Sequence, residues 1–356
     1  MPLQTVRRTL LAITWALVGL VPTAPAWTSD TAADDGETVL ATVLVTGDQP
    51  GPGLWRVRNG DHSLWLLGTV SPLPRRMRWM SDEVEGRIAL SQVVIFPPTM
   101  NFDSGMGRVR GLFLLPSLLK ARNNPEGVLL SDLLPAPLYA RWQALKARHM
   151  PNNRSAERWR PLFAGDRLYA EAIKGEGLRA GGVVGPVVVR AARRHDVPVE
   201  RPSVKIRIDD PRELLRRFSR TALDDTNCLD LLMARLEQDL DKMRERANAW
   251  AVGDLQRLKA LAGVEVGRAC IDAVLQSTVA AELGMEDLPG RLRTAWLDTV
   301  DSALSTHVSS FGIMPIEFLL GDDGVLATLA ARGYLVESPD EERAAGDPVE
   351  TDMQPE

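Results

Sequence analysis

The chain has 356 residues, of which 45% are hydrophobic and 25% are charged, and its net charge at pH 7 is −5. An acidic chain whose arginines are scattered along predicted helices lacks the clustered basic face that nucleic-acid binding needs, so we expect no nucleic-acid partner. Residues 54–338 have ordinary apolar content and are numerous enough for one large domain with a full core, or for two small lobes that share it.

Residues 1–26 have the three parts of a secretory signal peptide. Arg7 and Arg8 precede an uncharged apolar run at 10–21, and Ala24-Pro25-Ala26 is a small-x-small cleavage pattern. This run is too short for a bilayer, which needs about 20 residues. We therefore expect cleavage, a periplasmic or secreted protein, and no membrane span in the mature chain. The alternative is an uncleaved N-terminal anchor.

The two ends of the mature chain differ in composition from the part between them. Residues 27–53 are poor in large apolar side chains and contain a Pro/Gly-rich run, which predicts a linker. Residues 337–356 hold eight acidic residues against one arginine. Such a segment repels itself and cannot bury a core, so we expect a disordered acidic tail at 339–356.

The chain has two cysteines, Cys228 and Cys270. In an oxidising compartment an even number of cysteines usually means disulfides, so we expect this pair to be bonded. Two buried free thiols are the alternative, because sequence alone does not show that the two Cα atoms are close enough.

The predicted elements begin with a β-hairpin. The runs at 54–57 and 64–67 flank Asn59-Gly60, the strongest short turn signal for paired strands. Ser81 is a suitable N-cap for a helix to about Leu90, and a short buried strand follows at 93–96.

The middle of the chain carries helical periodicity. We expect a helix beginning at Pro211 and helices at 136–148, 157–174, 185–195, 226–251, 254–262, 264–283 and 289–306, with an extended stretch at 197–208. The helix at 226–251 has an apolar stripe from Leu229 to Trp250 at helical spacing. We interpret this stripe as a seam inside the core, and a partner-binding surface is the alternative.

In the C-terminal part, the residue pattern predicts a strand at 311–316, a helix at 325–332 and a last strand at 334–336. Strands therefore stand at both ends of the domain with helices between them. Since an isolated hairpin is barely stable in water, the two ends must join in one sheet. The expected fold class is α/β, with a mixed β-sheet core formed by N- and C-terminal strands and a large helical middle.

Several landmarks in this order resemble the TraB/GumN family, which includes the Tiki-type proteases. They are LWRV at 54–57, LLGT at 66–69, AWAVGDL at 249–255, GDDGVL at 321–326 and RGYLV at 332–336. The resemblance covers about residues 54–338. It implies an α/β core related to the ChaN-like folds and, in active members, a metal-dependent hydrolytic site.

In active members, the resemblance implies a Gly-x-x-His after the second strand, a Glu after the third and another Gly-x-x-His near the C-terminus. Imidazole and carboxylate groups are the natural ligands of a metal that activates water. This sequence keeps the first glycine as Gly68, but Ser71 replaces the histidine and Phe96 replaces the glutamate. Near the C-terminus, Pro315 and Phe318 stand at the glycine and histidine positions. We therefore expect no metal and no cofactor.

We expect the former ligand positions to lie close together, with Phe96 and Phe318 filling the space of the lost metal. The four histidines of the chain show no metal-binding spacing; His307, with Glu317, is the first to consider for a rebuilt site.

Three other features leave alternatives open. Ser71 lacks the Gly-x-Ser-x-Gly context of a nucleophile, so we favour a structural hydroxyl. Glu317 either faces the old cleft or caps the turn before Gly321. The basic loop with Arg75, Arg76 and Arg78 either binds an anionic glycan, phosphate or carboxylate, or is simply solvated.

The leading hypothesis is an exported, noncatalytic TraB/GumN-like protein that binds an unknown envelope ligand or protein. The first competitor is a periplasmic hydrolase, peptidase- or esterase-like, with an active site rebuilt around Ser71 or Glu317. The second is a partner-binding protein that uses the helical middle.

The signal-peptide hypothesis predicts a mature N-terminus at Trp27, because the cleavage pattern ends at Ala26. N-terminal sequencing of protein recovered from an expressing host checks this. Material that retains Met1 and sediments with membranes would contradict cleavage.

Overall fold

A computed structural model describes residues 53–77, 79–105, 113–238, 240–261, 265–321 and 323–339, with the side chains of 265–269 left out. Residues 1–52 and 340–356 lie outside the described residues, and with them the signal peptide, almost all of the linker and almost all of the acidic tail. Arg78 of the basic loop also lies outside them.

The strands form one main sheet and two small ones. The strands are β1 Leu54–Asn59, β2 His62–Thr69, β3 Leu73–Pro74, β4 Val94–Ile95, β5 Thr99–Asp103, β6 Leu178–Arg179, β7 Val199–Glu200, β8 Ser203–Arg207, β9 Ser309–Pro315 and β10 Leu335–Glu337. The main sheet has the order β10-β1-β2-β9-β4-β7; β3 pairs with β6, and β5 with β8. The main sheet joins strands from both ends of the domain, which confirms the predicted α/β class.

The centre of the main sheet is the parallel pair β2 and β9. Its register runs from Ser63 opposite Ser309 to Thr69 opposite Pro315. Both strands are almost wholly buried, as expected for parallel strands covered on both faces. On the other side of β2, β1 forms the predicted hairpin, and Gly60 takes φ +59° at its turn.

The helices occupy the middle and C-terminal parts of the chain. They are α1 Asp82–Ala89, α2 Leu115–Ala121, α3 Leu130–Leu133, α4 Ala136–His149, α5 Pro161–Gly175, α6 Val184–Arg194, α7 Pro211–Arg220, α8 Thr226–Gln238, α9 Leu240–Val252, α10 Leu255–Ala260, α11 Glu265–Leu275, α12 Thr278–Glu282, α13 Leu288–Thr306, α14 Ile316–Leu319 and α15 Val325–Ala331. Among the described residues, no helix has the length and apolar character to cross a membrane.

One of the predicted helices is divided. The predicted helix at 226–251 is described as α8 and α9, with residue 239 outside the described residues. The segment at 264–283 forms α11 and α12 because Ser277 caps a new helix, its hydroxyl accepting a hydrogen bond from the amide of Ala280. Segments without a clear pattern, among them β5 and α2, were not predicted.

The apolar stripe from Leu229 to Trp250 lies inside the protein. Leu229, Met233 and Leu236 pack in a core between the helices of the middle, and Trp250 belongs to the core around the main sheet. The interpretation as an internal seam is therefore confirmed, and the alternative of a partner surface on this stripe is wrong.

The predicted disulfide joins Cys228 in α8 to Cys270 in α11, with a Cα–Cα distance of 4.7 Å. The sequence separation of the two cysteines is 42 residues. The cross-link stabilises mainly by reducing the entropy of the unfolded chain.

Replacing both cysteines by alanine should lower the free energy of unfolding by up to about 4 kcal/mol, the loop-entropy value for a loop of this length. Urea titration measures the difference. As a control, a reductant should destabilise the unchanged protein and leave the double variant unaffected. Equal midpoints for oxidised and reduced protein would contradict the bond.

A buried arginine connects two helix ends in the helical middle. Arg160 is 1% exposed, and its guanidinium donates hydrogen bonds to the carbonyl oxygens of Ala121 (3.1 Å), Phe218 (2.6 Å) and Thr221 (2.7 Å). These carbonyls belong to the C-terminal ends of α2 and α7, where helices leave acceptors unpaired. Burial lowers the pKa of Arg160, so the three acceptors stabilise a charge that desolvation disfavours.

Arg160→Met should lower the free energy of unfolding by about 3 kcal/mol, because it leaves three buried carbonyl groups unsatisfied. Arg158→Met is the matched control: Arg158 is exposed, and its side chain forms no hydrogen bond or ion pair within the part of the chain described. Urea denaturation compares the two variants. Similar effects would show that Arg160 does not join these helix ends.

Candidate functional site

The former ligand positions lie at one edge of the main sheet. β2, β9 and β4 are parallel neighbours, so their carboxyl ends meet at the same edge. Gly68 is the second-last residue of β2, Phe96 follows β4, and Pro315 is the last residue of β9. The topology thus places these positions at the edge where ligands bind in open α/β sheets.

Gly68 is held in a crowded place. Its carbonyl oxygen accepts a hydrogen bond from the indole nitrogen of Trp250 at 2.8 Å, and a Cβ at this position would stand 2.9 Å from the ring of Trp55 and 3.3 Å from Ile316. Only glycine allows the strand to pass between these side chains. The glycine of the resemblance therefore has a packing role here.

Ser71 lies in the loop after β2 and is exposed. Its hydroxyl oxygen accepts a hydrogen bond from the amide of Gly181 at 3.2 Å, and its carbonyl oxygen accepts one from the buried guanidinium of Arg246. Within the described residues no hydrogen bond joins Ser71 to a histidine or a carboxylate. The serine thus has backbone partners and lacks the base that a nucleophile needs.

Arg246 and Trp250 act as a pair. They are four residues apart on α9, so they share one helix face, and both donate to backbone carbonyls at the end of β2. The sequence indicated Trp250 as a core residue; Arg246 was missed, although its spacing from Trp250 places it on the same side.

The two phenylalanines have different surroundings. Phe96 is half-buried, and the guanidinium carbon of Arg201 lies 4.5 Å from the centre of its ring. Phe318 is 58% exposed. The expectation that both rings fill the former metal space is therefore wrong for Phe318. In α14, the side chains of Ile316 and Leu319 are buried, whereas Phe318 lies on the outward side of the helix.

These groups do not fit a divalent metal. A hydroxyl and two aromatic rings stand at the positions where the resemblance implies imidazole and carboxylate, and a neutral serine is a poor ligand. Within the described ranges, no three His, Cys, Asp or Glu side chains are close enough together to hold a metal ion. We therefore derive no step through a metal.

Glu317 is half-buried next to Phe318, and its Oε2 atom is buried without a hydrogen-bond partner among the described residues. An unsatisfied buried carboxylate oxygen is unusual. Glu317 does not line the groove that contains Arg75, so the two features are separate.

The groove lies beside the end of β2, between the loop at 75–82 and the first turns of α6. Its volume is about 610 Å³, within the range of small-molecule sites. Its apolar lining consists of Met77, Trp79, Met80, Val183, Pro186 and Val187. Trp79 packs edge-on against Trp250 at 5.6 Å between ring centroids, so the groove wall continues into the contact that holds Gly68.

The charged lining of the groove is mainly basic. Arg75 and Arg190 line it together with Asp82. Arg75 is oriented by a hydrogen bond from its Nε atom to the carbonyl of Leu178, which leaves its terminal nitrogens for a ligand. Arg190 forms no hydrogen bond or ion pair in the described part of the chain.

Glu85 is a carboxylate that interacts electrostatically with Arg190, and it has partners of its own. The Ser81 hydroxyl donates to Glu85 at 2.8 Å and is the main cause of the lowered pKa of Glu85, with Arg194 and Arg190 acting in the same direction. Glu85 also pairs with Arg194 at 2.5 Å. The groove is therefore suited to an anionic ligand with an apolar part.

Among the described arginines of the predicted basic loop, Arg75 lines this groove and Arg76 does not. Arg76 is exposed, and Arg78 lies outside the described residues. Sequence reasoning missed Arg190 and Val183. Val183 immediately precedes α6 and Arg190 lies in it, more than a hundred residues after the loop, and no local pattern connects the two segments.

The fold and the geometry of this sheet edge define a mixed α/β protein in which strands from both ends of the domain meet. The sequence profile of the TraB/PrgY/gumN family matches residues 53–338. The chain belongs to this family. No curated protein and no solved structure matches it significantly.

Gly68→Ala should lower the free energy of unfolding by about 1–3 kcal/mol, because the added methyl group meets the rigid ring of Trp55. Gly86→Ala is the matched control. Gly86 lies in α1, a Cβ there meets nothing within 4 Å, and alanine should stabilise the helix by about 0.5–1 kcal/mol. Thermal or urea unfolding of both variants checks the opposite signs. A neutral Gly68→Ala would contradict the close approach.

Proposed function

We propose that this family member is a noncatalytic binding protein that is exported and holds an anionic ligand in the groove beside the old metal site. The observation that carries the proposal is the presence of Arg75 and Arg190 in the lining of the groove, together with apolar side chains that include Trp79 and Val183. Guanidinium groups bind carboxylate and phosphate with two parallel hydrogen bonds, and the apolar floor suits a sugar ring or an aliphatic part.

The loss of catalysis is supported by the residues at the former ligand positions. Ser71 has backbone partners, Phe96 lies against Arg201, and Phe318 faces solvent. Export is supported by the signal-peptide pattern at 1–26 and by the disulfide, since disulfides persist in oxidising compartments. Together these features favour a role in the cell envelope, with the ligand an anionic glycan, a phosphate or a carboxylate.

A hydrolase with a rebuilt site is the second candidate, and one observation favours it. The buried Oε2 atom of Glu317 has no partner among the described residues, and a desolvated carboxylate can serve as a general base. Within those residues no nucleophile or histidine is joined to it by a hydrogen bond. Binding therefore remains the better supported function.

Arg75→Ala should weaken anion binding about tenfold or more, because it removes an oriented guanidinium from the groove. Calorimetric titration with trigalacturonate, citrate and inorganic phosphate measures the change. Arg76→Ala is the matched control, since Arg76 is a neighbouring arginine that does not line the groove. Absence of binding to all three anions, or equal losses in both variants, would contradict the proposed site.

A further inference from the structure

A second surface, formed by residues outside the two segments that line the groove (75–82 and 182–190), exposes large apolar side chains. Phe113 is 70% exposed, Leu115 50%, Leu118 49% and Leu119 57%. The three leucines occupy positions i, i+3 and i+4 of α2, so they form one stripe, while Ala121 faces the core. Clustered exposure of this kind marks an interaction surface.

A basic helix lies beside this stripe. α7 packs against α2 and carries Arg212, Arg216, Arg217 and Arg220 against a single acid, Glu213. Lys120 and Arg122 on the α2 side bring the total to six basic residues, in a chain whose acidic residues outnumber its basic ones by 47 to 42. The two segments are about ninety residues apart in the sequence. Their basic residues therefore look dispersed in the sequence, although the fold brings the two helices into contact.

Part of this charge is available to a partner. Arg216 pairs with Glu213, and Arg217 pairs with Glu282 of α12. Lys120, Arg212 and Arg220 form no ion pair within the described ranges. Five acids border these six basic groups: Glu213, the Asp210 that caps α7, Glu126 of the turn at 125–127, Asp132 of α3 and Glu282 of α12. With all five counted, the basic groups remain in excess, six to five.

We infer that this surface, defined by Phe113, the leucine stripe of α2 and the arginines of α7, docks on an anionic phospholipid bilayer. Apolar side chains beside lysine and arginine are the pattern of proteins that lie on a membrane, where the apolar groups enter the acyl boundary and the cations meet the headgroups. Each cation near an anionic leaflet strengthens binding about fivefold.

The charge argues against the other occupants. A second copy bound through the same face by a two-fold axis would place like charges opposite each other. A nucleic acid would gain nothing from leucines that protrude at the centre of the surface.

Flotation of the purified full chain with vesicles tests the inference. Vesicles containing equal parts of phosphatidylcholine and phosphatidylglycerol should bind the protein, phosphatidylcholine alone should bind it weakly, and high salt should reduce binding. Leu118→Gln with Leu119→Gln, and separately Arg212→Glu with Arg220→Glu, should each weaken binding roughly tenfold or more. Circular dichroism should show all variants folded, because the changed side chains are exposed.

Matched controls use exposed residues elsewhere on the surface. Leu90→Gln with Val308→Gln removes two apolar side chains that are 74% and 62% exposed, and Arg193→Glu with Lys259→Glu makes the same charge change away from α7. Both controls should bind vesicles as the unchanged chain does.

Three outcomes would overturn the inference. The chain does not float with anionic vesicles; or it floats equally well with all variants, which assigns binding to the apolar run at 10–21; or it forms a dimer that the leucine variants abolish, which assigns the surface to a second copy. None of these outcomes bears on anion binding in the groove, so the two proposals fail separately.

Discussion

The parallel pairing of β2 with β9 is the constraint on which the rest of the structure depends. These strands are separated by about 240 residues of sequence, yet they pair over seven positions at the centre of the main sheet. Parallel strands require a crossover, and here the crossover is the whole helical middle. Once β2 and β9 are in register, their carboxyl ends lie together, and any site that combines the two ends of the chain must form at that edge.

The same edge is held together by side chains that are not among the expected metal ligands. Trp250 and Arg246 of α9 hold the carbonyls of Gly68 and Ser71, and Trp79 packs on Trp250. These contacts are structural, so they are independent of whether a metal is bound. The proposed binding groove lies next to these contacts and needs no metal. We therefore propose that the chain keeps the family fold and binds a ligand without the metal ligands that the resemblance implies.

The parts of the fold that local chemistry decides could be predicted from the sequence. Asn59-Gly60 fixes the hairpin turn, Asp210 caps α7 through its side chain, and Pro211 fits the first helical position. The joining of both chain ends in one sheet followed from the instability of a lone hairpin. The disulfide was predicted from the even number of cysteines and the expectation of an oxidising compartment.

The parts that depend on distant contacts could not be predicted. β5 has no alternating pattern and is a strand because it pairs with β8. The outward position of Phe318 depends on the short helix α14. Four residues are too few to show helical periodicity in the sequence, so this helix could not be predicted. Arg190 reaches the groove only because α6 packs beside the loop after β2. The leucines of α2 would be assigned to the core by hydrophobicity, whereas the fold leaves them in contact with solvent.

The central claim is that this chain has the fold of the family but does not bind a catalytic metal. The most direct measurement is the metal content of the purified protein, by mass spectrometry, together with its melting temperature and its hydrolysis of ester and peptide substrates before and after chelation. We predict less than stoichiometric zinc, manganese or cobalt, an unchanged melting temperature and no turnover. One tightly bound metal ion per chain, lost with a hydrolytic activity on chelation, would contradict the account.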